Sequence, residues 1–174
     1  EDPTSYRRLI GRLIYLIITG PDLTYAALNL CQPQKKNIWI LQKKVVRYLK
    51  GTAGQGLLLS ENSNLQLVGY CDSDWWACPI TRQPLTGYFI KLGNSPISWK
   101  TKKQNTVSRS SAEAEYRSLA EATSELIWLR SFLASLGVFL RNPTPLLCDN
   151  QSALHIANNP VFHERTKHIE LDCH

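Results

Sequence analysis

The sequence predicts a mixed α/β layered domain with a small helical unit ahead of it. Three observations carry that class. Apolar residues recur at helical spacing up to about residue 51, and from residue 65 the pattern shortens to that of strands. A long helical stripe then occupies residues 110–136. After it comes an apolar run at residues 145–148, so the helix reads as a crossover to a strand parallel with the first.

The elements follow in order. Residues 4–19 place Tyr6, Leu9, Leu13 and either Leu16 or Ile17 on one helical face. Thr19-Gly20-Pro21-Asp22 stops that helix, and Pro21-Asp22 starts a second through Leu23, Ala26, Ala27 and Leu30. A third helix turns Ile38, Leu41, Val45 and Leu49 inward and Lys43, Lys44, Arg47 and Lys50 outward, with Gly51 at its end. Gly56–Leu59 predicts a short strand and Ser60–Asn64 a polar connector, which sets the units at 1–60 and 61–174. Leu65–Cys71, Gly87–Leu92 and Pro96–Lys100 predict three antiparallel strands, the last two joined through Gly93-Asn94. Ser110 or Ser111 caps the long helix, which ends at Leu136 before Gly137. Pro145–Cys148 is the fourth strand and Gln151–Asn158 a short helix.

Composition narrows the function. A chain of 174 residues with 43% hydrophobic content and five Trp forms a packed core rather than a disordered segment. A net charge of +6 favours a polyanionic partner, most simply nucleic acid. The five Cys form no CxxC pair; Cys71 and Cys148 lie in apolar runs and read as buried free thiols in a reducing compartment. No Cys and His stand at zinc-ligand spacing. The run Leu13–Ile18 is far shorter than the ~20 residues that span a bilayer, so no membrane partner is expected. With no Met and abrupt ends, the chain reads as a segment of something longer.

Three carboxylates stand out. Asp72 ends the first strand, in Tyr70-Cys71-Asp72-Ser73-Asp74-Trp75. The long helix has an apolar stripe of Leu119, Ala122, Leu126, Leu129, Leu133 and Leu136. One step back along it lies Glu115, whereas Glu113 projects toward Arg117 and Ala120. A Glu in that first turn also reads as stabilising the helix dipole. Asp149 follows the fourth strand, where it also reads as a helix cap. Taken together, the three converge at the ends of two parallel strands linked by a crossover helix, which is where α/β sheets place their sites. Oxygen-only donors favour Mg²⁺ or Mn²⁺, and two such ions suit phosphoryl transfer. A basic protein with that site suggests a nuclease. Asp74 is less suited to be a ligand than to support the ligands from behind or to cap, and Trp75, Trp76 and Trp99 are expected to pack in the core.

The ordered motifs carry a resemblance. Pro21-Asp22-Leu23-Thr24-Tyr25-Ala26, Val46-Arg47-Tyr48-Leu49-Lys50-Gly51-Thr52, Tyr70-Cys71-Asp72-Ser73-Asp74-Trp75, Thr86-Gly87-Tyr88, Ile97-Ser98-Trp99-Lys100, Thr106–Arg117, Cys148-Asp149-Asn150-Gln151-Ser152-Ala153 and Thr166-Lys167-His168-Ile169-Glu170 together resemble copia-type LTR retrotransposon polyproteins over nearly the whole chain. Residues 1–60 resemble the helical segment after the reverse-transcriptase palm, and the remainder resembles the ribonuclease H domain.

That resemblance implies a ribonuclease H-like mixed sheet, three antiparallel strands plus a parallel fourth. It implies two-metal hydrolysis of the RNA strand of RNA–DNA hybrids, with Asp72, Glu115 and Asp149 as catalytic metal ligands for two Mg²⁺ or Mn²⁺ ions. Lys100, Lys102, Lys103 and Arg109 are candidates for contacting the hybrid. His163 or His168 is a candidate for aiding product release. The implied partners are the hybrid and the rest of the polyprotein, its palm and integrase. The implied setting is intracellular: cytoplasm, virus-like particle or nucleus. A last strand and helix bearing a fourth Asp belong to the family pattern beyond this chain, and Asp172 is not assigned to that role. Weak or absent activity is therefore expected of the chain alone. The competing expectation is an inactive remnant that keeps the fold and at most binds nucleic acid. An integrase or resolvase of related fold is disfavoured by the reverse-transcriptase-like segment.

Overall fold

The structure, a computed structural model, describes residues 3–24, 38–76 and 82–159. Expectations placed on Ala26, Ala27, Leu30, His163, His168, Asp172 and the side chains of Tyr6, Ile17, Ile38 and Leu41 lie outside what it describes. The chain falls into two compact units, Glu1–Leu58 and Leu59–His174.

In the first unit, α1 (Pro3–Ile17) and α2 (Ile38–Gly51) follow the predicted helical spacing. Leu13, Leu23 and Val45 form a small buried cluster, with Leu9, Ile10, Leu16 and Leu49 packed around it. Leu16, left open against Ile17 by the spacing, is thus on the apolar side. Tyr48 Oη donates to Asp22 Oδ2 at 2.6 Å, tying α2 to the helical turn at 21–24. Gly56–Leu59 does not form the predicted strand. Leu58 and Leu59 are exposed, and in the described sheet no neighbouring strand takes up this segment's backbone groups.

The second unit is the α/β arrangement the sequence predicts. Its sheet runs β3 (Ser95–Lys103), β2 (Leu85–Leu92), β1 (Leu67–Asp74) and β4 (Leu146–Leu147) in spatial order. The first three are antiparallel, and β4 lies parallel to β1 with Gly69 opposite Leu146 and Tyr70 opposite Leu147. A two-residue loop, Gly93-Asn94, joins β2 to β3. Pro96 is tolerated because β3 is an edge strand, and the register slips there, between Ile90 and Lys91.

The crossover α3 (Ser111–Ser135) begins at the cap Ser110, whose hydroxyl accepts from Glu113 N at 3.2 Å. It ends where Gly137 adopts a left-handed φ of 83°, which lets Val138 N reach back to the Leu133 carbonyl at 2.9 Å. Leu119, Ala122, Leu126 and Leu129 are buried against Leu67, Cys71, Tyr88 and Ile90. Leu136, placed on that stripe by spacing, is exposed because it is the capping residue beyond the last helical turn. Burial of several such Leu and Ile side chains, at roughly 1.5–3 kcal/mol each, sets the helix on the sheet.

At Gly69 the layers meet most closely. A Cβ built there would lie 2.9 Å from Leu146 Cδ1 of β4 and 3.0 Å from Leu126 Cδ1 of α3. The absent side chain is what lets both neighbours close on β1.

Candidate metal centre

Glu115 continues the apolar stripe of α3 by one step and is accordingly buried, at 5% exposure. Ser73 N donates to its Oε1 at 3.2 Å, and the Cys148 thiol approaches its Oε2 at 3.8 Å. Burial raises its pKa most, with the charges of Asp72 and Asp149 adding to it. The Ser73 and Cys148 hydrogen bonds offset part of that rise, and the carboxyl ends at about 7 against an ordinary 4.5.

Asp149 stands just past β4. Asn150, not Asp149, caps α4 (Gln151–Asn158), its side-chain oxygen accepting from Ala153 N at 2.9 Å. The exposed Asp149 carboxylate is thus outside the cap that its sequence position suggested. One donor atom each from Glu115, Cys148 and Asp149 falls within 4.8 Å of the other two. Arg130 of α3 secures the approach to β4 by donating to the Leu140 and Asn142 carbonyls at 2.7 and 3.0 Å and to Thr144 Oγ1 at 2.8 Å.

Asp72 lies on the alternate, exposed set of β1 positions, and it is not one of the residues within that 4.8 Å group. Its charge still reaches Glu115. Extending the β1–β4 register by two residues sets Asp72 level with Asp149 and Cys71 level with Cys148. Its backbone is fixed from above: Ser118 Oγ, fully buried on α3, bonds the carbonyls of Asp72 at 2.8 Å and Gly87 at 3.2 Å. Asp74 accepts from Trp76 N at 3.1 Å, the capping role its position predicts.

The donor chemistry fits hard divalent cations. Glu115 and Asp149 lie together at one end of the sheet, Asp72 acts on Glu115 through its charge, and among the described residues no ion pair reaches any of the three. The Ser73 hydroxyl beside Glu115 is buried and finds no hydrogen-bond partner among the described residues. The carboxylate oxygens of Glu115 and Asp149 are donors that Mg²⁺ or Mn²⁺ prefer, and the Cys148 thiol is the third donor of the group.

Lys100, Lys102 and Lys103 share this end of the sheet. The ladder runs Asp72–Gly87–Thr101, so Thr101 lies two strands from Asp72, roughly 10 Å at the usual strand spacing. Lys100 and Lys102 flank Thr101 and pair with Glu121 of α3 at 3.6 and 3.8 Å. An open pocket of about 440 Å³ lies alongside, lined by Lys102, Lys103, Gln104, Thr106, Arg117 and Glu121 among others. Arg109 is exposed at the start of α3, with its backbone N donating to Glu113 Oε2 at 2.7 Å.

Two expectations change. Trp75 and Trp76 are 39% and 57% exposed rather than core residues, because β1 ends at Asp74 and the chain turns away from the sheet. Trp75 is held at the rim by its indole N–H, which donates to the Ser108 carbonyl at 3.0 Å. Sequence reasoning also passed over Cys148, Ser118, Ser73 and Arg130 as shapers of the site. The adjacency of Cys148 to Asp149 was the available signal for the first; the others depend on cross-strand register.

The chain is 46% identical over 176 residues to the retrovirus-related Pol polyprotein from transposon RE2 of Arabidopsis thaliana, covering 99% of this chain and 12% of that protein. It is 44% identical to the corresponding polyprotein from transposon RE1 of the same plant, again over 99% of this chain and 12% of the relative. With the polyprotein from transposon TNT 1-94 of Nicotiana tabacum it shares 35% identity over 97% of the chain and 13% of the relative. No family model matches the chain, and no solved structure matches it.

Proposed function

Because the chain belongs to the family of retrovirus-related Pol polyproteins of transposons, spanning 12% of the length of its first relatives, we propose that this part hydrolyses the RNA strand of RNA–DNA hybrids. The observation that supports this reading is Glu115: a carboxylate buried without a cation, beside Asp149 and within reach of the Asp72 charge. Structural acids are normally buried with a partner, so an unpaired one at a sheet end marks a functional site.

Asp72, Glu115 and Asp149 would hold two Mg²⁺ or Mn²⁺ ions. When bound, such ions supply Lewis-acid stabilisation of the attacking and leaving oxygens of a phosphodiester. The chain's own residues prepare that site. Ser73 N–H fixes one oxygen of Glu115, and Cys148 approaches the other. Ser118 holds the β1 and β2 backbones in register beneath Asp72. Lys100, Lys102, Lys103 and Arg109 contact phosphates of the hybrid from β3, two strands from Asp72, and from the start of α3, positioning the backbone without reading sequence. The remaining polyprotein, with its palm and integrase, is the natural covalent partner. An intracellular setting accompanies this reading, in cytoplasm, virus-like particle or nucleus; no helix among the described residues is long and apolar enough to cross a membrane.

The test is a hybrid whose RNA strand carries an end label, incubated with Mg²⁺ or Mn²⁺ and with the chain extended by the last strand and helix of the family pattern. Cleavage leaving 3′-hydroxyl ends, lost in Asp149→Asn, is the expected result. Hybrid binding with no cleavage under either ion would overturn the reading in favour of an inactive, nucleic-acid-binding remnant.

A further inference from the structure

A thiol stands inside the acidic centre. The Cys148 Sγ, a Glu115 oxygen and an Asp149 oxygen all lie within 4.8 Å of one another. Cys148 is free and half-buried, and Glu115 is buried. A second observation concerns the residue whose N–H holds Glu115: Ser73 carries a buried hydroxyl with no hydrogen-bond partner among the described residues.

From this juxtaposition we infer that Cys148, Glu115 and Asp149 form a zinc site, distinct in chemistry from the Mg²⁺ or Mn²⁺ centre whose carboxylates it shares. Hard ions prefer oxygen, whereas a thiolate turns a site toward zinc. Zinc takes sulfur at ~2.3 Å and carboxylate oxygen at ~2.0–2.2 Å, commonly with three protein ligands and one open position. Tetrahedral ligands on such an ion stand roughly 3.5 Å apart, so separations of at most 4.8 Å need to close by up to about 1.3 Å. Asp149 is exposed and can rotate to do so, while Glu115 stays anchored on α3. On binding, the Cys148 S–H bond breaks, a Zn–S bond forms, and the proton passes to water. The spacing of Cys and His along the chain gives no hint of this site, because its donors come from α3 and from the segment after β4. Zinc held there occupies the oxygens that a hard ion needs, so the two states exclude each other.

Zinc binding is measured without nucleic acid, so its outcome is independent of whether hybrids are cut. Cys31, Cys71, Cys78 and Cys173 are first replaced, Cys71 by Ala and the others by Ser, so that Cys148 is the one thiol left. Co²⁺ is then added as a spectroscopic stand-in, and Zn²⁺ affinity is read against a chromophoric chelator. The expected result is a thiolate-to-cobalt charge-transfer band that disappears in Cys148→Ser, with zinc bound at least tenfold more weakly by that variant. A band that survives Cys148→Ser, or a loss of affinity below tenfold, overturns the inference. Should Cys148→Ser fail to fold, ¹¹³Cd NMR of the parent chain decides: a shift typical of one sulfur ligand supports the site, and an oxygen-only shift refutes it.

Discussion

Two glutamates on the first turns of α3 are buried almost equally, and they have opposite characters. Glu113, at 3% exposure, is matched: Arg109 N donates to one oxygen at 2.7 Å and Arg117 pairs with the other at 3.0 Å. Glu115, at 5%, receives one backbone N–H at 3.2 Å and a weak thiol contact, and it faces two further acids. The first region is a closed cap that fixes the helix start. The second stores unfavourable charge that a cation would relieve. Burial alone therefore does not distinguish a structural acid from a functional one; the count of compensating charges does.

Substitution can break that contrast. Glu115→Gln should lower hybrid cleavage by about 100- to 1,000-fold while leaving the metal-free chain folded, as the loss of one transition-state-stabilising group typically does. Cleavage rates with Mg²⁺, alongside circular dichroism, check this, and an active Glu115→Gln enzyme would remove the distinction. Glu113→Ala should do the reverse. It removes the carboxylate that pairs with Arg117 and accepts from the Arg109 N–H, and destabilises by about 3 kcal/mol in urea unfolding, while cleavage per folded molecule changes little.

Acidity sharpens the comparison next. Glu115 has a folded pKa of about 7 against 4.5, so between those values the native state binds more protons than the unfolded state. Stability of the metal-free chain should thus be fully present below pH 4.5 and decline as pH rises to 7, by on the order of 2 kcal/mol. Millimolar Mg²⁺ or the Glu115→Gln change should flatten that slope; a slope that survives both would assign it elsewhere. The smallest effect belongs to Ser118→Ala, which deletes the hydroxyl bridging the Asp72 and Gly87 carbonyls and should cost about 1 kcal/mol in the same unfolding assay.

Much of this was legible in the sequence. Strand alternation, the Gly93-Asn94 turn and the α3 stripe located the elements of the sheet unit, and extending the stripe singled out Glu115 over Glu113. What stayed hidden depends on contacts between distant segments. Gly56–Leu59 has the composition of a strand but no partner in the described sheet, and β4 contributes a two-residue ladder where four apolar residues were available. Trp75 and Trp76 look like core residues until β1 is seen to end beneath them. The burial of Glu113 follows from Arg117 and the Arg109 backbone, which spacing places nearby without revealing how fully they enclose it.

The bare hydrogen of Gly69 has a reach out of proportion to its size. It faces Leu126, on the helix that carries Glu115, and Leu146, on the strand that leads to Asp149. A methyl group there would push against the ends of both leucine side chains, the contacts through which helix and strand close on β1. The tolerance of the acidic mouth is thus gauged from a residue that carries no reactive group, three positions upstream of Asp72, and a survey of sensitive positions confined to acids and bases would pass it by.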